Sequence, residues 1–242
     1  MTYTPEELMA AAIAREVRDG ETVAVGTLSP VPAAGVLLAR ARHAPRATVM
    51  IINHEDYWPF HEGSKEFYDF AQQGKIDLFF LSGGQIDQFG NLNIIAIGDH
   101  DHPAVRLPGG AGSAMLYYLA PRVILFRSDH TSRTFVERVD WVTSPGSSPP
   151  GVFRPGGPWK VVTPLAVLAF NRETKRLELE SVHPGVSQEQ VQTATGFPLV
   201  ARHKGAVTPP PTEQDLAILR GPVRQAVARL YPVFCRSAFL AA

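Results

Sequence analysis

Residues 76–93 read IDLFFLSGGQIDQFGNLN. The run Ile76–Leu81 is apolar and of strand length, and it breaks at Gly83-Gly84 into a polar hairpin carrying Gln85, Asp87, Asn91 and Asn93. A strand that is apolar without alternation belongs to a sheet covered on both faces. Two more such runs lie to either side, Ala47–Ile52 and Arg122–Phe126, and Ala111–Leu119 between them has helical character. Farther out, Thr4-Pro5-x-Glu7 provides a cap, a proline at the first helical position and a capping-box acid, and Gly20 provides a stop, so a helix is expected over 5–19. Thr22–Val25 is a short β-branched strand, and after a turn at Pro30 and Pro32 the stretch Ala33–Arg42 is apolar at helical spacing. Strands alternating with helices predict an α/β fold.

The second half reads differently. Lys160–Val162, Leu165–Phe170 and Leu177–Val182 are strand-like runs joined by polar turns, which predicts a smaller antiparallel portion. Ser187 with Gln190 and Thr212 with Asp215 open two late helices, the first closed by Gly196 and the second interrupted by Gly221 and Pro222. Residues 144–158, SPGSSPPGVFRPGGP, are too rich in proline and glycine for a regular element and are taken as an excursion from a single domain spanning 1–242. No repeat of fixed period is visible. At 242 residues and 45% hydrophobic content the chain has material for a substantial core. Its 23 basic residues balance 23 acidic ones, which argues against nucleic acid or an anionic membrane as partner. One cysteine, Cys235, leaves no internal disulfide, the start MTYTPEEL lacks a secretory pattern, and no apolar run spans a bilayer, so a cytoplasmic protein is expected.

Two segments carry candidate chemistry. Glycines at a strand end expose bare N–H groups, and beside Gly83 and Gly84 the amides of Gln85 and Asn93 add side-chain donors for a carbonyl or amide ligand. A tight turn with an Asx-type hairpin is the plainer reading of the same residues. VRLPGGAGSA (105–114) places Gly109, Gly110 and Gly112 before a helix start, where outward amides favour an anion or acyl group, though the segment fits neither the phosphate-loop nor the dinucleotide pattern. Asp99-His100-Asp101-His102 alternates potential metal ligands but lacks a third ligand at convincing spacing, so no metal is expected. There is no GxSxG elbow, and Cys235 reads as a packed small side chain.

Together the blocks SGGQIDQFGNLN, IGDHDHPAVRLPGGAGSA, RTFVERVDWVTSPG and SVHPGVSQEQVQTATGF resemble the β subunit of class I, glutaconate-type coenzyme A transferases over nearly the whole chain. The resemblance implies an open, mostly parallel α/β sheet flanked by helices and an α subunit as partner in an α2β2-like assembly. It also implies a dicarboxylic or glutaconate-like acyl-CoA as substrate, with Gly83, Gly84, Gln85 and the second glycine loop facing coenzyme A. Transferases of this kind carry a nucleophilic glutamate in a Glu-Ser-Gly or Glu-Asn-Gly turn just after the strand equivalent to 48–52. Here the strand runs into Asn53-His54-Glu55-Asp56-Tyr57-Trp58-Pro59-Phe60, and the ungapped equivalent of the nucleophile is Ile52. One reading makes Glu55 the replacement carboxylate, tuned by His54 or Asp56. A second keeps the thioester pocket without transferase chemistry, as in divergent members that open cyclic CoA thioesters in steroid degradation or decarboxylate a glutaconyl-type ester. A third makes the chain a non-catalytic subunit.

Overall fold

The computed structural model describes residues 2–240, which gather into two compact units, residues 2–80 with 209–240 and residues 81–208. The first unit opens with α1 (Pro5–Ala14). Both halves of the capping box form: the Glu7 N–H donates to Thr4 Oγ1 at 3.1 Å, and the Thr4 N–H donates to Glu7 Oε2 at 3.0 Å. The helix ends earlier than expected because Glu16 and Val17 bond three residues back, to Ile13 and Ala14, and Arg15 turns to the carbonyls of Pro209 and Pro210. Glu7 through Ala14 are all buried, so this is an interior helix rather than an amphipathic one. The buried Glu7 carboxylate is met by Arg220, Nε to Oε1 at 2.7 Å and Nη2 to Oε2 at 3.0 Å.

β1 (Thr22–Val25), α2 (Pro30–Arg42), β2 (Thr48–Ile51), α3 (Ser64–Gln72) and β3 (Leu78–Leu81) follow. The prolines expected in a turn lie inside the first turn of α2, where N–H groups have no intrahelical acceptor and a fixed φ is already helical. β1 is the centre of a parallel ladder, paired with β2 from Thr22↔Thr48 to Val25↔Ile51 and with β3 through Val23↔Leu78 and Ala24↔Phe79.

The second unit contains β4 (Gln85–Asp87), β5 (Leu92–Asn93), β6 (Ala96–Ile97), β7 (Val105–Arg106), α4 (Ser113–Leu119), β8 (Arg122–Phe126) and β9 (Phe135–Val136). β10 (Pro158–Val162), β11 (Ala166–Asn171), β12 (Arg176–Val182) and α5 (Gln188–Thr193) complete it. β8 and β10 pair in parallel, while β10, β11 and β12 form the expected antiparallel portion. β4 lies between β5 and β9 in a small sheet, and β6 pairs with β7. Residues 144–158 fall inside this unit. They are pinned at Gly156, whose N–H donates to Tyr118 O at 3.0 Å and where a Cβ would stand 1.8 Å from Ala120 O.

The chain then returns to the first unit as α6 (Glu213–Ile218), a π-type turn at Leu219–Val223 kinked at Gly221 and Pro222, α7 (Arg224–Ala228) and α8 (Pro232–Ala238). The capping boxes of α5 and α6 form as the sequence indicates. The architecture is α/β, a mostly parallel sheet flanked by helices with smaller antiparallel parts.

Candidate active site

In the second unit the two glycine segments come together on the β4–β5 hairpin. Gly84 N–H donates to Asn93 O at 2.8 Å, Leu107 N–H to Ile95 O at 2.9 Å, and Gly109 N–H to Ile94 O at 2.8 Å. Leu107 lies over Gly84 so closely that a Cβ there would meet its Cδ1 at 2.5 Å. The buried side chains of Gln85 and Asn93 are spent on one another and on the hairpin. Asn93 Nδ2 donates to Gln85 Oε1 at 2.8 Å and to Ala96 O at 2.6 Å, and Asn93 Oδ1 accepts from the Ile95 N–H at 3.1 Å. Gln85 Oε1 also accepts the Asp140 N–H at 3.0 Å. Both amides therefore brace the glycine turn from behind. Asp87 is the Asx-type anchor, accepting the N–H groups of Phe89 and Asn91 at 2.9 and 3.0 Å, and burial pushes its carboxyl above the usual range.

Among the described residues, no acceptor meets the N–H groups of Gly83, Gly110, Ala111 or Gly112. Asp99 is exposed and accepts the N–H groups of Asp101 and His102 at 2.9 and 2.8 Å in a local turn.

In the first unit, Ile52 continues from β2 with its N–H on Val25 O at 3.1 Å, and Asn53 turns into the left-handed region at φ 67°. Tyr57 then folds the loop back by accepting the Ile51 N–H at 2.9 Å on its carbonyl. His54 is buried, with Nε2 at 3.0 Å from Ala226 O and Nδ1 at 3.2 Å from the Asp56 nitrogen. A carbonyl can only accept and a backbone N–H only donate, so Nε2 carries the proton and both ring nitrogens are occupied. Glu55 and Asp56 are exposed and share Arg229 Nη1, at 2.5 and 2.8 Å. Trp58 and Phe60 pack on Phe67 of α3, with ring centroids 5.3 and 5.9 Å away. The aromatic patch thus serves as packing.

Sequence reasoning missed a polar group just beyond β8. Arg127 Nη1 donates to Gly83 O at 3.0 Å and its Nε to Asp129 Oδ1 at 2.8 Å, while Thr134 Oγ1 donates to Asp129 Oδ2 at 2.6 Å. The first glycine turn is thereby held from its carbonyl side. Next to it His130 is buried between Thr163 Oγ1 (2.8 Å) and Thr195 Oγ1 (3.0 Å), and burial depresses its pKa to about 4. The signal available in the sequence was position: DHTSRT follows the apolar strand Arg122–Phe126 almost directly, at the end of a strand where α/β proteins place polar side chains.

The coenzyme A transferase family profile matches residues 52–194. The chain is 32% identical to the B subunit of the 3-oxoadipate CoA-transferase of Pseudomonas knackmussii, over 90% of this chain and 92% of that one. It is 28% identical to the IpdB subunit of a cholesterol ring-cleaving hydrolase of Rhodococcus jostii, over 69% of this chain and 65% of that one. The crystal structure of glutaconate coenzyme A-transferase from Acidaminococcus fermentans superimposes with a TM-score of 0.80 at 27% identity, covering 91% of this chain and 94% of that one. The profile spans both the loop after β2 and the two glycine segments, and the first of these relatives matches nearly end to end, so the chain belongs to the coenzyme A transferase family.

Proposed function

We propose that this chain is the β-type subunit of a hetero-oligomeric enzyme that binds an acyl-CoA thioester and cleaves it by hydrolytic or carbon–carbon bond chemistry, without a covalent carboxylate from this chain. The observation that carries the reading is the end of β2. By the ungapped count along the sequence Ile52 takes the place of the family's glutamate, and the first carboxylates downstream, Glu55 and Asp56, are exposed and share the one Arg229. A nucleophilic carboxylate needs to be within reach of the thioester carbon and not spent in an exposed ion pair. The amides of Gly83 and of residues 110–112 are preorganised donors for the thioester oxygen and the pantetheine arm, with Gln85, Asn93 and Arg127 as braces. An α-type partner completes the site and supplies the acid–base groups. The relative named as a ring-cleaving hydrolase is compatible with this chemistry.

The test is turnover by the assembled enzyme with no acceptor acid added. Starting acyl-CoA consumed, with a new CoA ester or free CoA appearing, at the same rate with and without acceptor, and unchanged to within a factor of about two in Glu55→Ala, supports the reading. Strict dependence on an acceptor would overturn it. Covalent CoA transfer through Glu55, tuned by His54, is the second reading. It is favoured by the 32% identity to a transferase subunit across the chain, and it predicts that Glu55→Ala abolishes turnover.

A further inference from the structure

The proline- and glycine-rich run 146–158 lines a cavity of about 200 Å³ that lies wholly within the second unit. The wall carries three cations, Arg154, Arg172 and Lys175, with the hydroxyls of Ser147 and Ser148 and no carboxylate. Glu173, between two of these cations in sequence, lines a neighbouring cavity instead. Arg154 is fastened in place. Its Nε donates to Gly156 O at 2.7 Å and its Nη2 to Tyr117 O at 2.9 Å, while the guanidinium carbon stands 5.4 and 5.7 Å from the ring centroids of Tyr117 and Tyr118. Gly157 gives it room, since a Cβ there would stand 3.3 Å from Nε.

Every group that holds Arg154 is formally neutral. Among the described residues none of the three cations is paired with a carboxylate, and Arg154 Nη1 is buried without an acceptor. Burial pushes the guanidinium below the ordinary arginine range. A cation taken partly out of water, with one nitrogen unanswered, costs free energy until a counter-charge and an acceptor arrive. A single oxyanion brings both. We propose that this cavity is a phosphate site, in which Arg154, Arg172 and Lys175 meet a phosphate dianion and the two serine hydroxyls complete its contacts. Three cations and two hydroxyl donors suit the charge and the several acceptor oxygens of a phosphate better than the single charge and two oxygens of a carboxylate. Free phosphate and the ribose phosphate of coenzyme A both carry this chemistry, and the second source rests on the reading of the chain as part of a CoA-binding enzyme.

Arg154 also holds the loop through its own bonds, so the test substitutes the two exposed cations, Arg172→Gln together with Lys175→Asn, asparagine being suited to the left-handed backbone at that position (φ 55°). Calorimetric titration of the assembled complex measures inorganic phosphate, acetate, CoA and dephospho-CoA, wild type against the double variant. Phosphate binds the wild type at least about tenfold more tightly than acetate and weakens at least about tenfold in the double variant. It also raises the folding midpoint of the wild type and not that of the variant. With the ribose phosphate as ligand, CoA binds the wild type at least about tenfold more tightly than dephospho-CoA and the gap closes in the variant. With free phosphate as ligand, CoA and dephospho-CoA bind alike in both proteins while phosphate binding responds. If neither phosphate binding nor the preference for CoA over dephospho-CoA responds to the double substitution, the inference is overturned, and the thioester reading stands as long as CoA binds. Acetate binding as tightly as phosphate overturns it too. Phosphate binding without any binding of CoA leaves the site in place and overturns the thioester reading.

Discussion

Acidification from pH 7 to 4.5 destabilises the protein through His130 by an amount that follows from its burial. The ring is enclosed by Thr163 and Thr195 and lies 4.2 Å, centroid to centroid, from the ring of Phe135. Desolvation is the main cause of its depressed pKa. The nearby Asp129 opposes the shift and His183 adds to it. In the folded state the ring stays neutral down to about pH 4, while in the unfolded chain it gains a proton near 6.5. Within that window the unfolded state binds more protons, so stability is fully present above pH 6.5 and is lost as pH falls toward 4. The slope is about 1.4 kcal/mol per pH unit, and the whole window is worth about 3 kcal/mol. His183 is buried and shifted the same way, again by desolvation, and adds loss of the same sign.

The assay is urea unfolding at pH 7.0 and 4.5 for wild type and His130→Gln. The substituted amide keeps a donor and an acceptor for the two hydroxyls but cannot titrate, so the variant should lose about 2–3 kcal/mol less than the wild type on acidification. Carboxylates that titrate lower down are common to both proteins and cancel. Equal losses in the two proteins would refute the reasoning.

Two further outcomes test the packing that positions the site. Arg220→Met strands the Glu7 carboxylate, which is fully buried, and should cost about 3–5 kcal/mol in thermal unfolding, with part of it recovered when Glu7→Gln is added. A loss under about 1 kcal/mol would contradict the burial of that pair. Gly156→Ala puts a Cβ 1.8 Å from Ala120 O, an overlap of backbone on backbone that no rotamer relieves, and should lower stability by at least about 3 kcal/mol, read as a fall in the urea midpoint.

The elements that the sequence revealed are those dictated by local rules. Thr4, Ser187 and Thr212 each formed a capping box because that motif closes within four residues, and Arg122–Phe126 is a strand over its expected span because an apolar run of that length, ended by polar residues, suits a doubly covered position. What was not legible depends on distant partners. Nothing near Glu55 announces Arg229, nothing near His54 announces Ala226 O, and the Arg127 bond to Gly83 joins residues far apart in the chain. Gln85 and Asn93 show the same limit. Their amides were legible as hydrogen-bonding groups, but whether they face a ligand or each other is decided by the register Gln85↔Asn93.

The most direct measurement of the central claim is chemical trapping. The assembled enzyme is incubated with a turning-over acyl-CoA, treated with borohydride or hydroxylamine, and this chain is digested and mapped by mass. The account predicts unmodified peptides throughout, the one covering residues 47–65 included. A reduced or hydroxamate-bearing glutamate at Glu55 would contradict it.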